Sequence, residues 1–251
     1  MTRWLAIALA CALAPTIAAA EEWGTIKGEV VWAGGAIPPR AKVDVTKDKD
    51  HCLAKGPLLS DELLIDATTN GIRDVIIWLA SIDKKKPLAI HPDLKAIPKE
   101  AIEIDQPCCQ FVPRAVALRA GQTLIIKNSA SVPHAAQVGG DPAINAGFNT
   151  TIQAGSRIEL SGEKALRAEE RPLSLSCSLH TWMKGRIGVF DHPYFAVTGA
   201  DGKFEIKNVP AGEVIIKIKH ERWLHQGGTS AGQKVTVPAA GTLDLGKIKV
   251  Q

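Results

Sequence analysis

Aromatic residues make up only 5% of this 251-residue chain, and of its two methionines one is the initiator. Charge of neither sign dominates, the formal net charge being +4. Lysines and arginines are scattered, and the one run, Lys84 to Lys86, reads as a solvated turn, which leaves no case for a nucleic-acid-binding face. Beyond residue 20 no apolar run approaches the ~20 residues of a membrane-spanning helix. Helical periodicity is scarce as well. Only "SGEKALRAEERP" (161–172) is expected to hold a short helix, ahead of Pro172. Low-complexity segments and clear internal repeats are missing. No Ser-His-Asp arrangement, paired-carboxylate motif or phosphate-cradling loop stands out, so no enzyme activity is expected.

What is there begins with a disposable segment. "MTRWLAIALACALAPTIAAA" (1–20) has a positive start at Arg3, a short apolar run and an Ala18-x-Ala20 cleavage signal. The run from Trp4 to Ala14 is too short for an anchor, and Cys11 lies too early for lipoprotein cleavage. The reading is a signal peptide, a mature chain starting near Glu21, and a periplasmic or secreted location where disulfides persist. The remaining ~230 residues suit one large or two small domains.

Those residues read as strands between turns. Runs rich in Val, Ile and Thr alternate with clusters of Gly, Pro, Asn and Asp. They include "TIKGEVVW" (25–32), "DVIIWLA" (74–80), "AVALRA" (115–120), "QTLIIKN" (122–128), "SRIELS" (156–161) and "LSLSC" (173–177). "GRIGVFD" (185–191), "GKFEIKNV" (202–209), "EVIIKIKH" (213–220), "QKVTV" (233–237) and "LGKIKV" (245–250) follow. Such spacing predicts an all-β fold of sandwiches or barrels.

The chemistry concentrates in "CSLHTWM" (177–183), where Cys177, His180 and Met183 stand three apart. A fourth donor follows the strand 122–128: "NSASVPHAAQV" (128–138) carries His134. Two loops at one end of a sandwich bring such groups to a single ion. Two imidazoles, a thiolate and a weak thioether make the ligand set of a blue-copper electron-transfer site. Zinc is the competing metal, since two histidines and a thiolate also hold it, but it has no need of Met183. Taken singly, His134 reads as a surface histidine, Cys177 as a buried thiol or half a disulfide, and Met183 as core filler. It is their joint occurrence that favours a metal.

"GQTLIIKNSASVPHAAQV" followed by "CSLHTWM" resembles a cupredoxin over roughly residues 100–191, with the ligand spacing of amicyanin. The resemblance implies a Greek-key β-sandwich and one type 1 copper cycling between Cu(I) and Cu(II). His134, Cys177 and His180 would be the strong ligands and Met183 the axial one. It also implies that electrons pass through a solvent-exposed His180 to another exported redox protein, such as a c-type cytochrome or a dehydrogenase. Three positions depart from the family. Ala135 replaces an asparagine that ties the ligand loops, Thr181 stands where proline is common, and Ser178 is a potential cross-loop donor. Trp182 is expected to pack beneath the site or to join a docking surface around His180.

A second resemblance lies in "FAVTGADGKFEIKNVPAGEVIIKIKHE" (195–221), which is similar to a prealbumin-like, carboxypeptidase-regulatory-type β-sandwich. Thr198, Asp201, Gly202, Phe204, Pro210 and Gly212 fall at that family's turn positions. Residues 24–35 resemble its first strand and residues 73–80 its next. The expected organisation is residues 21–80 and 192–251 as one smaller sandwich, with the cupredoxin of 100–191 inserted; a plain tandem is the alternative. The composite resembles exported methylamine-utilisation or plastocyanin-like proteins. Two rival functions go with it: an envelope module binding saccharide or protein with a secondary copper site, and copper sequestration or delivery.

With Cys177 on a metal, Cys52, Cys108 and Cys109 remain. Export favours a disulfide from Cys52 to Cys108 or Cys109. A vicinal bond would be strained, and a second soft-metal site of His51, Cys52 and the pair is the sharper alternative. Arg114 stands where the composite family places a histidine, which argues against further copper chemistry there. His220 and His225 read as surface residues, and His91 and His192 as loop residues.

Overall fold

The computed structural model describes residues 22–220 and 232–250. The expected leader and His225 lie outside the described residues. The all-β expectation holds. In chain order the strands are β1 (Trp23–Trp32), β2 (Ile76–Ser81), β3 (Ile102–Ile104), β4 (Ala115–Arg119), β5 (Leu124–Lys127), β6 (His134–Gly139), β7 (Phe148–Ile152) and β8 (Arg157–Leu160). Then come β9 (Leu173–Ser176), β10 (Lys184–Phe190), β11 (Phe195–Val197), β12 (Lys203–Pro210), β13 (Gly212–Lys219), β14 (Gln233–Val237) and β15 (Thr242–Val250). A one-turn helix, α1 (Lys49–Cys52), interrupts the long connection from β1 to β2.

The strands form four sheets around two cores. Sheets β12-β1-β15 and β11-β2-β13-β14 draw on both ends of the chain. They enclose Ile26, Ile72, Ile77, Leu79, Tyr194, Val209 and Ile216. Side chains alternate across a pleated strand, and in β13 Val214, Ile216 and Ile218 point inward. Sheets β4-β10-β9-β6-β7 and β3-β5-β8 contain only strands from the middle of the chain. They enclose Ile104, Phe111, Leu118, Leu124, Ile126, Leu175 and Ile187. A small apolar joint links the two, where Ile76 and Trp78 of β2 meet Ala115 and Phe190. The rings of Trp78 and Phe190 stack at 5.5 Å.

The turn between β11 and β12 carries the residue types its backbone demands. Gly202 has φ +78°, and a Cβ there would stand 2.3 Å from Val30 O and 2.7 Å from Gly71 Cα. Thr198 Oγ1 donates to Ile72 O at 2.7 Å and accepts Val75 N–H at 3.0 Å, which pins the start of that turn to β2's approach.

The eleven strand runs read from the sequence all contain strands. The short β3, β7 and β11, and β6, which begins at His134, were not among those runs. The helix expected within 161–172 is only a single 3-10 turn, Gly162–Lys164. Gly162 enters it at φ +55°, Leu166 is captured by the second core, and Arg167 N–H donates to Asn145 Oδ1 at 2.8 Å instead of to a helical carbonyl. Among the described residues no helix is long and apolar enough to cross a membrane.

Candidate metal centre

The register of the five-stranded sheet positions the site. β6 and β9 run antiparallel with Gln137 opposite Ser176. The start of β6 and the end of β9 therefore meet at one edge, which brings His134 beside Cys177. Asn128 folds the loop ahead of His134: its Nδ2 donates to Val132 O and Ile152 O, both at 2.9 Å, and its Oδ1 accepts Ala130 N–H. After Cys177 the chain turns back into β10. Met183 N–H donates to His180 O at 2.9 Å, and Cys177 N–H to Met183 O at 3.2 Å, closing the seven-residue loop.

Three of the four residues expected at a metal come together. His134 Nδ1 lies 2.9 Å from His180 Nδ1, and Cys177 Sγ lies 3.8 Å from His180 Nδ1. One donor atom from each of His134, Cys177 and His180 falls within 4.8 Å of the others. Met183 is buried in the same core and tied by its backbone to both Cys177 and His180. Exposure is 0% for both histidines, 2% for Cys177 and 1% for Met183.

The donor set fits a soft metal. Burial, then the charge His180 would carry beside it, push His134 down to about 4. Burial also lowers His180, against the opposing pull of Asp48. Both imidazoles are therefore neutral near pH 7, as ligation requires. A metal ~2.1 Å from each nitrogen and ~2.3 Å from sulfur sets N···N near 3.3 Å and N···S near 3.7 Å. The observed 2.9 and 3.8 Å need only a few tenths of an ångström of opening. Ala135 N–H donates to Cys177 Sγ at 3.1 Å. Ala135 thus ties the two ligand loops through its backbone, although its side chain cannot. His134 Nε2 is buried without a hydrogen-bond partner.

The connection from β1 to β2 covers this edge of the sheet. Val45 and Cys52 from that connection enter the second core, and Cys52 is bonded to Cys109. The expected pairing of Cys52 is thereby resolved; Cys108 is a free, half-buried thiol. With both sulfurs of Cys52 and Cys109 in a disulfide, neither offers a thiolate, although both lie within 4.8 Å of a His180 nitrogen. Asp48, at the head of α1, places Oδ2 2.8 Å from His180 Nε2. His51 Nδ1 meets Ser131 Oγ at 3.1 Å, and its Nε2 is buried without a partner.

Two expectations need correction, those for His180 and His220. His180 is not a solvent-exposed edge: Asp48 caps its outer nitrogen and Trp182 stands edge-on to its ring, centroids 5.2 Å apart. Trp182 packs, donating Nε1–H to Cys109 O at 3.2 Å. Ser178 donates to Asn149 Oδ1 on β7 at 3.1 Å. His220 is 7% exposed, because β13 carries it into the joint between the cores, so it is no surface residue. Arg114 pairs with Asp61 beneath the surface. His192 lies between the rings of Phe190 and Tyr194.

Asp48 was missed in the sequence, and His51 was weighed there only as part of a second metal site. The available signal was Cys52: a cysteine expected to bond near Cys109 carries its neighbours to the loop that precedes the metal-site strands.

No family model matches the chain, and no curated protein matches it. Solved structures similar to it include a cupredoxin, amicyanin and a copper-containing nitrite reductase. A purple cupredoxin from Nitrosopumilus maritimus is 24% identical over 36% of this chain and 99% of its own, at a TM-score of 0.29. A mutant of amicyanin in its Cu(I) state is 15% identical over 36% of this chain and 82% of its own, at 0.31. A copper-containing nitrite reductase from Thermus scotoductus SA-01 is 21% identical over 42% of this chain and 25% of its own, at 0.31. Those TM-scores are too low to argue from, and the reading of the site rests on its own geometry.

Proposed function

We propose that this chain is an exported copper protein that carries single electrons between redox partners. The observation that carries the reading is the meeting of two buried imidazole Nδ1 atoms, at 2.9 Å, beside a buried thiol. Copper, held by His134, Cys177 and His180 with Met183 as a weaker fourth donor, would supply one-electron chemistry between Cu(I) and Cu(II). The protein's part is to hold these donors still and dry. β6 fixes His134, the closed loop 177–183 fixes the other three, and Ala135 N–H steadies the sulfur in both states. Small rearrangement between states keeps outer-sphere transfer fast.

In this reading residues 1–20 are removed on export to the periplasm or beyond. Residues 100–191 form the cupredoxin domain. Residues 21–80 and 192–251 form a prealbumin-like sandwich that hosts it. The partner is another exported redox protein, such as a c-type cytochrome or a dehydrogenase. It would meet the site through Asp48 or Trp182, the partly exposed groups against His180. The full burial of both histidines favours a second reading, copper sequestration or delivery, in which the site releases the metal rather than the electron.

The test is the absorption spectrum of the purified protein with Cu(II). An intense thiolate-to-copper band in the red is expected, lost in Cys177→Ser and bleached and restored reversibly by reductant and oxidant. A colourless protein that prefers zinc would sink the copper reading. A band that bleaches only with loss of the metal would favour delivery over electron transfer.

A further inference from the structure

We propose that Asp48 is a positioning residue for His180, and that α1 exists at this edge of the sheet to deliver it. The inference rests on the metal reading of the site and adds a residue from outside the sheets that hold it.

The geometry is specific. His180 Nε2 and Asp48 Oδ2 are 2.8 Å apart, and the imidazole is wholly buried while the carboxylate keeps 27% of its surface in solvent. A carboxylate only accepts hydrogen bonds when ionised, so Nε2 must carry the proton. That leaves the lone pair of His180 on Nδ1, the nitrogen that faces His134 and Cys177. It follows that in the metal-free protein His134 Nδ1–H is the donor in the 2.9 Å contact between the two rings. His134 Nε2 is then a lone pair, in keeping with its lack of a partner. For His134 to serve as a ligand through Nδ1, its proton would have to sit on Nε2 instead, whereas His180 already holds the binding tautomer.

The backbone around Asp48 is built to hold it there. Asp48 sits at φ 49°, a left-handed conformation that aspartate tolerates better than most residues. Its carbonyl accepts His51 N–H at 3.1 Å and Cys52 N–H at 2.9 Å, closing the single turn of α1. Cys52 then fixes the turn covalently to Cys109. A four-residue helix has no stability of its own, so this turn persists because the disulfide and the core hold it. A carboxylate behind a ligating imidazole orients the ring and raises its donor strength. A stronger donor favours Cu(II) over Cu(I).

Two variants separate these effects. Asp48→Asn keeps an acceptor of the same shape and removes the charge; Asp48→Ala removes both. Nitrogen-15 NMR of the metal-free protein should show His180 protonated at Nε2 in wild type and Asp48→Asn, and a mixture of tautomers in Asp48→Ala. Competition titrations should show Cu(II) binding weakened 10–100-fold in Asp48→Ala. In Asp48→Asn the weakening should be smaller, and in both variants Cu(I) should lose less than Cu(II). A wild-type His180 protonated at Nδ1, or a tautomer indifferent to Asp48→Ala in a folded protein, would overturn the proposal. So would equal losses for Cu(I) and Cu(II). The NMR result decides the positioning role even if the wild type gives no thiolate-to-copper band, an outcome that would strike the copper reading alone.

Discussion

In the first core the deepest polar side chains are met by the fold itself. Thr198 Oγ1 both donates and accepts, and Tyr194 Oη donates to Ala89 O at 2.9 Å and accepts His91 N–H at 2.9 Å. In the second core, two imidazoles and a thiol lie equally deep, and His134 Nε2 meets nothing. Leaving a buried polar atom unpaired costs about 1–3 kcal/mol. Both cores have the aliphatic filling that folds a sandwich. In the second, the unpaired Nε2 of His134 lies where three donor atoms converge.

The largest effect should come from cutting the tie that only the second core has. The Cys52–Cys109 bond spans 57 residues, and closing a loop of that length stabilises a fold by about 4 kcal/mol. Replacing both cysteines with serine should lower the global unfolding free energy by about that amount. Hydrogen exchange should locate the loss, with amides of β6, β9 and β10 losing protection before those of β1, β12 and β13. Equal loss in both sets would mean that the two cores unfold as one and would break the contrast.

A smaller effect is expected from the converse change. Leu79 is wholly buried in the first core, and Leu79→Ala should cost about 3 kcal/mol through lost contacts and the cavity left behind. The thiolate-to-copper band of the folded fraction should not change, since Leu79 packs far from His134. A shifted band would show that strain crosses the joint at Trp78 and Phe190.

Much of this was legible in the sequence. Strands such as β13 announce themselves by alternation, and those such as β5 by a short apolar run, Leu124 to Ile126, between turn residues. Cys177, His180 and Met183 stand out because three soft donors at such spacing rarely occur by chance. His134 was found because a strand delivers it. The covering of the site was not legible. α1 is one turn long and lacks any periodic pattern, and it is held by a disulfide whose partner the sequence left open between Cys108 and Cys109. The burial of His180 follows from that covering, so the resemblance pointed to an exposed ring. The helix expected near 161–172 failed for a related reason: helical composition there is outweighed by Gly162's left-handed backbone and by the capture of Leu166 in the core.

The smallest expected effect concerns Trp182, which packs against the second core. Its ring stands edge-on to His180, and its Nε1–H reaches Cys109 O at 3.2 Å. The site loop is thereby bonded to the peptide that carries the disulfide. Trp182→Phe keeps an aromatic edge against the imidazole and removes the donor. A neutral hydrogen bond of this kind contributes about 1 kcal/mol net, and the smaller ring gives up some half-buried area besides. Unfolding by urea should therefore show a loss of about 1–2 kcal/mol with an unchanged slope, because no additional surface is exposed in either state. The loss should shrink in the background of the double cysteine-to-serine variant, where the Cys109 peptide is no longer held in place. If the two changes simply add, the tryptophan and the disulfide stabilise the loop independently. The second core would then be held at two separate points rather than by one connected covering.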